Sequence, residues 1–294
     1  MSFYSLRNIK NIVSKCLYIL PDSLMLRILF ALKLHRWLNL KNPQTFNEKL
    51  QWLKLHNRKN IYTTMVDKYS VKDYVEKIIG KEFIIPTIGI WNHPEEINFT
   101  QLPDKFVLKT THGGGGKSVI ICKDKKTFNK TKAINTLKEA MKEDIYVSHR
   151  EWPYKNVQKR IIAEQFIDNG NEALSDYKFF CFNGKPKMML VSNNRFHGET
   201  EFDYFDMNFT HLPFTQGGRN SNKTIIKPTH FNEMKEIAEK LAKGIPHIRV
   251  DLYEVNDKIL FGELTFFDSS GLSKFKPAIW DYKIGQLLDI SNIN

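Results

Sequence analysis

Two short stretches near the C-terminus decide how this chain reads: Ile248-Arg249-Val250-Asp251-Leu252-Tyr253, and a little farther on, Gly262-Glu263-Leu264-Thr265-Phe266. Each alternates apolar with polar side chains, the period of a strand with one buried face. Together they make a hairpin, and its register fixes what shares a face. A three-residue loop, Asn256-Asp257-Lys258, sets Asp251 opposite Glu263 and Arg249 opposite Thr265, with Ile248, Val250 and Leu252 facing Phe266, Leu264 and Gly262. A two-residue loop would pair Val250 with Glu263 and mix the faces, so burial selects the longer loop. Two carboxylates directly opposite each other repel unless a cation sits between them. Mg²⁺ suits Asp251 and Glu263, because it takes one or two carboxylates and completes its shell with phosphate and water. Arg249, on the same face, is placed to neutralise a phosphoryl group. The plainer alternative is an Arg-Asp-Glu ion network on a charged hairpin.

Upstream, the strand-like stretches Phe106–Lys109 and Ser118–Ile121 flank Thr111-His112-Gly113-Gly114-Gly115-Gly116-Lys117. The loop is not a P-loop: reading back from Gly116-Lys117-Ser118, the required first glycine falls on Thr111, and a β-branched strand follows in place of a helix. A glycine-rich loop between antiparallel strands, rich in unshielded N–H groups, can fold over a polyphosphate. A mobile hairpin tip is the alternative, and His112 reads equally as an ordinary loop histidine. Tyr177–Phe182, Asn183-Gly184 and Lys187–Val191 form a hairpin signature, since Asn-Gly supplies the positive φ angles of a type I′ turn. Helices are expected over 46–56, opened by the capping box Thr45-Phe46-Asn47-Glu48, over 63–79, over 129–142 and over 231–243. Phe83–Pro86 and Ile88–Trp91 read as extended, and 160–167 as a strand. His149 and Arg150 read either as a cationic patch for a carboxylate or as solvated charge. Trp152 and Tyr154 read either as sugar-stacking rings or as packing aromatics. Repeats and low-complexity segments are missing.

The chain has 294 residues, 44 Lys+Arg against 32 Asp+Glu, and 41% apolar residues. That composition is globular and excludes a disordered or fibrous chain. No apolar run reaches the roughly 18 residues of a spanning helix, and no secretory signal is evident, so a cytoplasmic location is expected. Cys16, Cys122 and Cys181 suit neither a disulfide framework nor a metal site. Of the net +12, +9 lies in residues 1–60, where eleven Lys+Arg face two Asp+Glu. Basic and apolar residues alternate there in two short amphipathic segments broken at Pro21-Asp22. Such a region suits either an anionic membrane surface or a helical cap on the core, and no nucleic-acid motif accompanies the charge.

Over about Pro43 to Leu288 the chain resembles the ATP-grasp superfamily, and within it the TupA-like branch of teichuronopeptide biosynthesis. The resemblance lies in Thr45-Phe46-Asn47-Glu48-Lys49-Leu50-Gln51-Trp52, Asp67-Lys68-Tyr69, Phe106-Val107-Leu108-Lys109, the loop from His112, Arg150-Glu151-Trp152-Pro153-Tyr154, Asp176-Tyr177-Lys178-Phe179-Phe180, Arg249-Val250-Asp251-Leu252 and Gly262-Glu263-Leu264-Thr265-Phe266. It implies an α+β fold, a nucleotide clamp of two α+β subdomains with antiparallel sheets behind a basic helical N-terminal region. The divisions expected are 1–60 (basic arm), 61–103 (lead-in), 104–165 (small subdomain) and 166–294 (large subdomain). ATP and Mg²⁺ are the implied cofactors. By the same resemblance Lys109 approaches the adenine and α-phosphate edge, Lys68 guards the nucleotide, Gly113, Gly114, Gly115, Gly116 and Lys117 cover the phosphates, and Glu164-Gln165-Phe166-Ile167 is the hinge that reads adenine. Lys178 is a phosphate-side lysine, Asp251 and Glu263 hold Mg²⁺, and Thr265 stands where many members have asparagine. The activity implied is ATP-dependent carboxylate–amine ligation through an acyl phosphate, its substrates a glycan or uronic-acid carboxylate and an amine or amino acid. Two rival readings are a glycosyltransferase, though Asp203-Tyr204-Phe205-Asp206 lacks DxD spacing, and a non-catalytic adaptor for membrane or polyanion.

Overall fold

A computed structural model describes residues 19–114, 116, 119–168, 170, 175–193 and 201–293. Helix α1 (Asp22–Leu34) is followed by α2 (Phe46–His56), which starts where the sequence predicts: Thr45 accepts from the Glu48 amide and the Glu48 side chain accepts in return from the Thr45 amide, a complete capping box. The helix expected over 63–79 is two, α3 (Ile61–Val66) and α4 (Val71–Ile79). The break is chemical. Asp67 Oδ1 accepts from the Tyr69 amide at 2.9 Å and Oδ2 from the Ser70 hydroxyl at 3.0 Å, a side-chain turn that competes with helical pairing, while the Lys68 amide donates to the Thr111 carbonyl at 3.0 Å. Likewise, Lys81–Phe83 is a 3₁₀ turn where extended chain was expected from Phe83.

The small sheet has the order β1-β4-β2-β3: β1 (Thr87–Trp91), β2 (Phe106–Thr110), β3 (Ile120–Cys122) and β4 (Ile161–Gln165), all antiparallel. One face carries Phe106, Leu108, Ile161 and Ala163 into a core with Leu137 of α5 (Lys130–Ala140) and with Phe99 and Leu102. Alternation turns Lys109 and Glu164 to the other face. Residues 166–175 carry the chain from β4 to the large sheet, and the short α6 (Ile145–His149) precedes β4.

The large antiparallel sheet has the order β10-β9-β5-β6-β7: β5 (Asp176–Phe182), β6 (Lys185–Asn193), β7 (Glu201–Asp206), β9 (His247–Val255) and β10 (Lys258–Thr265). The β5–β6 turn is the expected one, with Asn183 and Gly184 at φ 48° and 82°. Helix α7 (Phe231–Ala242) covers one face; its Phe231 ring packs against Phe179, and Cys181 Sγ lies on the Ala238 carbonyl. On the other face Phe46 of α2 packs against Phe180, Phe182 and His247. That second face is therefore apolar under α2 and becomes polar farther along, at Lys178, Asp176, Arg249 and Asp251. A two-stranded pair, β8 (Thr215–Gln216) with β11 (Phe275–Lys276), and α8 (Ile279–Gly285) complete the fold. Among the described residues no helix is long and apolar enough to cross a membrane.

Pairing in the β9–β10 hairpin combines an expected result with an unexpected cause. Asp251 is opposite Glu263, Leu264 opposite Val250 and Thr265 opposite Arg249, as the alternation requires. The turn, however, has two residues, Asn256 and Asp257, both at positive φ (50° and 60°), with Lys258 already paired to Val255. A bulge between Phe261 and Glu263 restores the register, so that Phe261, and not Gly262, stands opposite Leu252. Gly262 occupies the bulge because there is little room for more: a Cβ would lie 3.0 Å from the Asp251 carbonyl oxygen and 3.0 Å from the Tyr253 ring.

Candidate nucleotide and metal site

Three neighbouring strands assemble the centre. Lys178 on β5 lies opposite Asp251 on β9, and Asp251 opposite Glu263 on β10. Lys178 Nζ donates to Asp176 Oδ2 at 2.5 Å and to Asp251 Oδ2. Arg249 grips Asp251 with two bonds, Nε to Oδ1 and Nη2 to Oδ2, both 2.7 Å, and reaches Glu263 Oε1 at 3.1 Å, Thr265 Oγ1 at 3.2 Å and Asp268 Oδ1 at 2.5 Å. The Thr265 hydroxyl donates to Glu263 Oε1 at 3.3 Å. Asp251 is only 1% exposed, and burial pushes its carboxyl above the usual range even beside Arg249 and Lys178. Glu263 behaves oppositely. Burial would raise it, but Lys68, Arg249, Lys178 and Lys109 hold it well below the usual carboxylate range. With 38% of its side chain exposed, Glu263 is the ionised oxygen donor that the centre presents outward.

The two sheets are bridged by Lys68. The α3–α4 break aims its side chain between them: Nζ donates to the Gly113 carbonyl at 2.5 Å and lies 3.7 Å from Glu263 Oε2. Burial lowers Lys68, against the pull of Glu263. On the small sheet Glu164 binds two lysines, Lys109 at 2.5 Å and Lys72 at 2.7 Å; burial would raise its carboxyl, and the two ammonium groups keep it lowered. So of the stretch read as an adenine hinge, Glu164 turns its side chain onto cations inside the cleft, while Gln165, Phe166 and Ile167 follow at the end of β4 and the start of the connection to β5. The Gln165 amide donates to the Pro86 carbonyl at 3.0 Å. Gly113, Gly114 and Gly116 lie past the end of β2, Gly116 at φ 75°. Gly115 and Lys117 fall outside the described residues. His112 is buried, and desolvation followed by the Lys159 charge lowers its imidazole to about 4, so it is neutral at pH 7.

Several contributors escaped the sequence reading. Asp176 stands two residues before Lys178 on one strand face, a period-2 signal that was available. Lys72, Arg160 and Asp268 carry no such signal, since their partners lie far off in the chain: Arg160 Nη2 holds Asp67 Oδ2 at 2.7 Å and so fixes the turn that carries Lys68. Arg150 is no exposed cationic patch. It is fully buried, donates to the carbonyls of Val147 and Leu20, and pairs with Asp22 at 3.0 Å, clamping the start of α1. Trp152 is buried in the main core, with Tyr154 partly buried against it.

The donor set fits the implied groups. Glu263 and the Thr265 hydroxyl are hard oxygens suited to Mg²⁺, whereas both Asp251 oxygens are held by Arg249 and Lys178 in the ion network that was the plainer alternative, and would serve a metal only on release from those cations; Lys68 and Lys109 suit phosphate.

The model of the TupA-like ATP-grasp family matches residues 48–289, and the chain belongs to that family. Similar solved structures include a D-alanine–D-alanine ligase from Helicobacter pylori (15% identity, 83% of this chain and 69% of that one, TM-score 0.46). Another is a D-alanine–D-alanine ligase from Bacillus anthracis complexed with ATP (12% identity, 78% and 66%, TM-score 0.44). A third is an N5-carboxyaminoimidazole synthase from Aspergillus clavatus in complex with ADP and 5-aminoimidazole ribonucleotide (11% identity, 69% and 44%, TM-score 0.38). Curated proteins gave no match.

Proposed function

We propose that this ATP-grasp protein is an ATP-dependent carboxylate–amine ligase that amidates a uronic acid, or a similar carboxylate, of a cell-surface polysaccharide precursor on the cytoplasmic side of the membrane. One observation carries the catalytic part: Lys68 joins the glycine loop at Gly113 to Glu263, whose face also presents Arg249, Asp251 and Lys178. That arrangement puts phosphate-binding groups beside paired carboxylates. In the proposed reaction the substrate carboxylate attacks the γ-phosphate, ADP leaves, and an amine displaces phosphate from the acyl phosphate to give the amide. Held by Glu263, and by Asp251 once freed from Arg249 and Lys178, Mg²⁺ would supply charge neutralisation at the phosphates. The chain's own residues do the rest. Lys68 and Lys109 orient the phosphates, Arg249 opposes charge developing on the transferred group, and no side chain acts as a covalent nucleophile. The polysaccharide substrate rests on the family, whose name belongs to teichuronopeptide biosynthesis.

Release of ADP and phosphate by the purified protein with ATP and Mg²⁺, over a panel of uronates crossed with amines and amino acids, tests the proposal. Turnover that needs both a carboxylate and an amine, and is lost in Asp251→Asn and Glu263→Gln, is the expected result. Failure of the wild type to bind ATP in the presence of Mg²⁺ would sink it. Consumption of a nucleotide sugar without ATP would point to a glycosyltransferase in its place.

A further inference from the structure

Helix α1 packs one side inward and leaves the opposite side bare. Met25, Leu26, Phe30 and Leu34 are buried, and Leu26, Phe30 and Leu34 form a small core with Leu38. Leu24, Ile28 and Leu32, spaced four apart on the opposite arc, are 44%, 40% and 67% exposed. Beyond the two helix ends Ile19 and Trp37 are also bare, at 80% and 85% exposed. An amphipathic globular helix buries its apolar stripe and shows polar residues outside; α1 has apolar residues on both sides. Single exposed apolar side chains need no explanation, but five along one helix and its flanks do.

Charge identifies the occupant. Within the described part of the first sixty residues, eight Lys+Arg stand against two Asp+Glu. Both acids are consumed internally, Asp22 by Arg58 and Arg150 and Glu48 by Arg36 and the α2 cap. The exposed Lys33, Lys41 and Lys59 make no ion pair with another described residue, and the exposed Arg27 donates to the Leu38 carbonyl and pairs with no carboxylate among the described residues. A second copy of the chain would bring the same unpaired cations to the contact and repel. An anionic bilayer supplies both an apolar interior for the stripe and counter-charge for the lysines, and exposed tryptophan is suited to the headgroup level.

We propose that the outer face of α1, through Leu24, Ile28, Leu32, Ile19 and Trp37, docks on an anionic lipid surface and brings the cleft to a membrane-bound substrate. The helix would lie flat on the bilayer, held at its N-terminus to the body of the protein by the Asp22 pairs with Arg58 and Arg150. The docking does not depend on the ligase chemistry, whereas delivery of the cleft to a membrane-bound substrate rests on the proposed function.

The test is sedimentation of the full chain with vesicles of phosphatidylcholine containing 30% phosphatidylglycerol, and with phosphatidylcholine alone. Binding to the anionic vesicles is expected, weakening steeply between low and high salt, with far less binding to neutral ones. Lys33→Gln and Lys41→Gln should each lower the partition coefficient about fivefold. Combined Leu24→Ser, Ile28→Ser, Leu32→Ser and Trp37→Ser should abolish binding while the free chain keeps its folded circular dichroism and a cooperative transition, its melting temperature lowered only by the poorer helix propensity of serine. Equal binding by wild type and this variant, or none by the wild type at low salt, would overturn the proposal. So would a wild-type dimer that the four substitutions convert to a monomer, which would assign the face to a second copy. Acrylamide quenching that fails to distinguish wild type from Trp37→Phe in the free chain would also overturn it, since the face would then be covered.

Discussion

Replacing Lys178 by methionine keeps most of the side chain's bulk and removes only its charge. Its ammonium lies between Asp176 and Asp251, which are 2% and 1% exposed. Loss of one partner from a buried ion pair costs about 3–5 kcal/mol, because the remaining charge has neither water nor a counterion. Arg249 still holds Asp251, so the lower end, about 3 kcal/mol, is expected at pH 8. The pH dependence has a definite sign. Burial already pushes Asp251 above the usual range, and removal of Lys178 pushes it further. An aspartate ionises near 3.9 in the unfolded chain. Between that pH and the higher folded value the folded state retains a proton that the unfolded state has lost, so the penalty grows as pH rises and vanishes below about pH 4. Urea unfolding of wild type and Lys178→Met at pH 8, 6 and 4.5 measures this, with the difference shrinking as pH falls. A loss under about 1 kcal/mol at pH 8, or one independent of pH, would refute the picture of two buried carboxylates sharing this cation.

Two further outcomes concern the bulged hairpin and the packing beneath it. Glu263→Gln should cut ADP release at least about a hundredfold, as loss of a transition-state charge contact does. Its wild-type carboxyl is held low, so its contribution to stability is present above the usual glutamate value and lost as pH falls through the lowered one; the variant's acid unfolding curve should be flatter. Gly285→Ala should destabilise by about 3 kcal/mol, because a Cβ there would lie 2.3 Å from the Gln44 carbonyl oxygen and 2.7 Å from the Phe46 amide nitrogen. A melting temperature equal to that of the wild type would contradict the close packing of α8 on the α2 cap.

The parts of the centre that read directly from the sequence are those fixed by local alternation. Strand period assigns Arg249, Asp251, Glu263 and Thr265 to one face whichever element ends the hairpin, provided burial sets the register; the turn and the bulge are two local solutions to that one constraint. The Gly262 bulge stays hidden because a longer turn gives the same pairing. The Asp67–Ser70 break is equally invisible, since the stretch 63–79 reads as one helix and the turn is held by Arg160 and Thr111, far along the chain. Glu164 illustrates the same limit. The hinge role that the resemblance implies would concern its backbone, whereas its side chain is claimed by Lys72 and Lys109, which no local pattern brings together.

Lys68 and Lys72 stand four residues apart and are both partly buried, yet the fold gives them different work, and the difference is measurable. Lys72 Nζ is tied to the Ile85 carbonyl at 2.7 Å, the Thr87 hydroxyl at 2.9 Å and Glu164, so three of its partners belong to the small sheet and the segment leading into it. Lys68 Nζ touches the glycine loop and the outward carboxylate of the large sheet. On the proposed function, a phosphate in the cleft would compete with Gly113 and Glu263 for Lys68, leaving Glu263 freer to hold a metal. At Lys72 the same phosphate would find an ammonium already saturated. Lys72→Met should therefore lower stability by about 2–3 kcal/mol, the cost of leaving Glu164 short of a partner, with ATP affinity falling less than threefold, about 0.6 kcal/mol. Lys68→Met should raise the Kd for ATP at least tenfold, about 1.4 kcal/mol or more, with a smaller change in stability, because Glu263 keeps Arg249 and has solvent access. Calorimetric titration with ATP in Mg²⁺, beside urea unfolding of both variants, separates the two. If both lysines move affinity and stability in the same proportion, they belong to one structural network, and Lys68 has no special claim on the nucleotide.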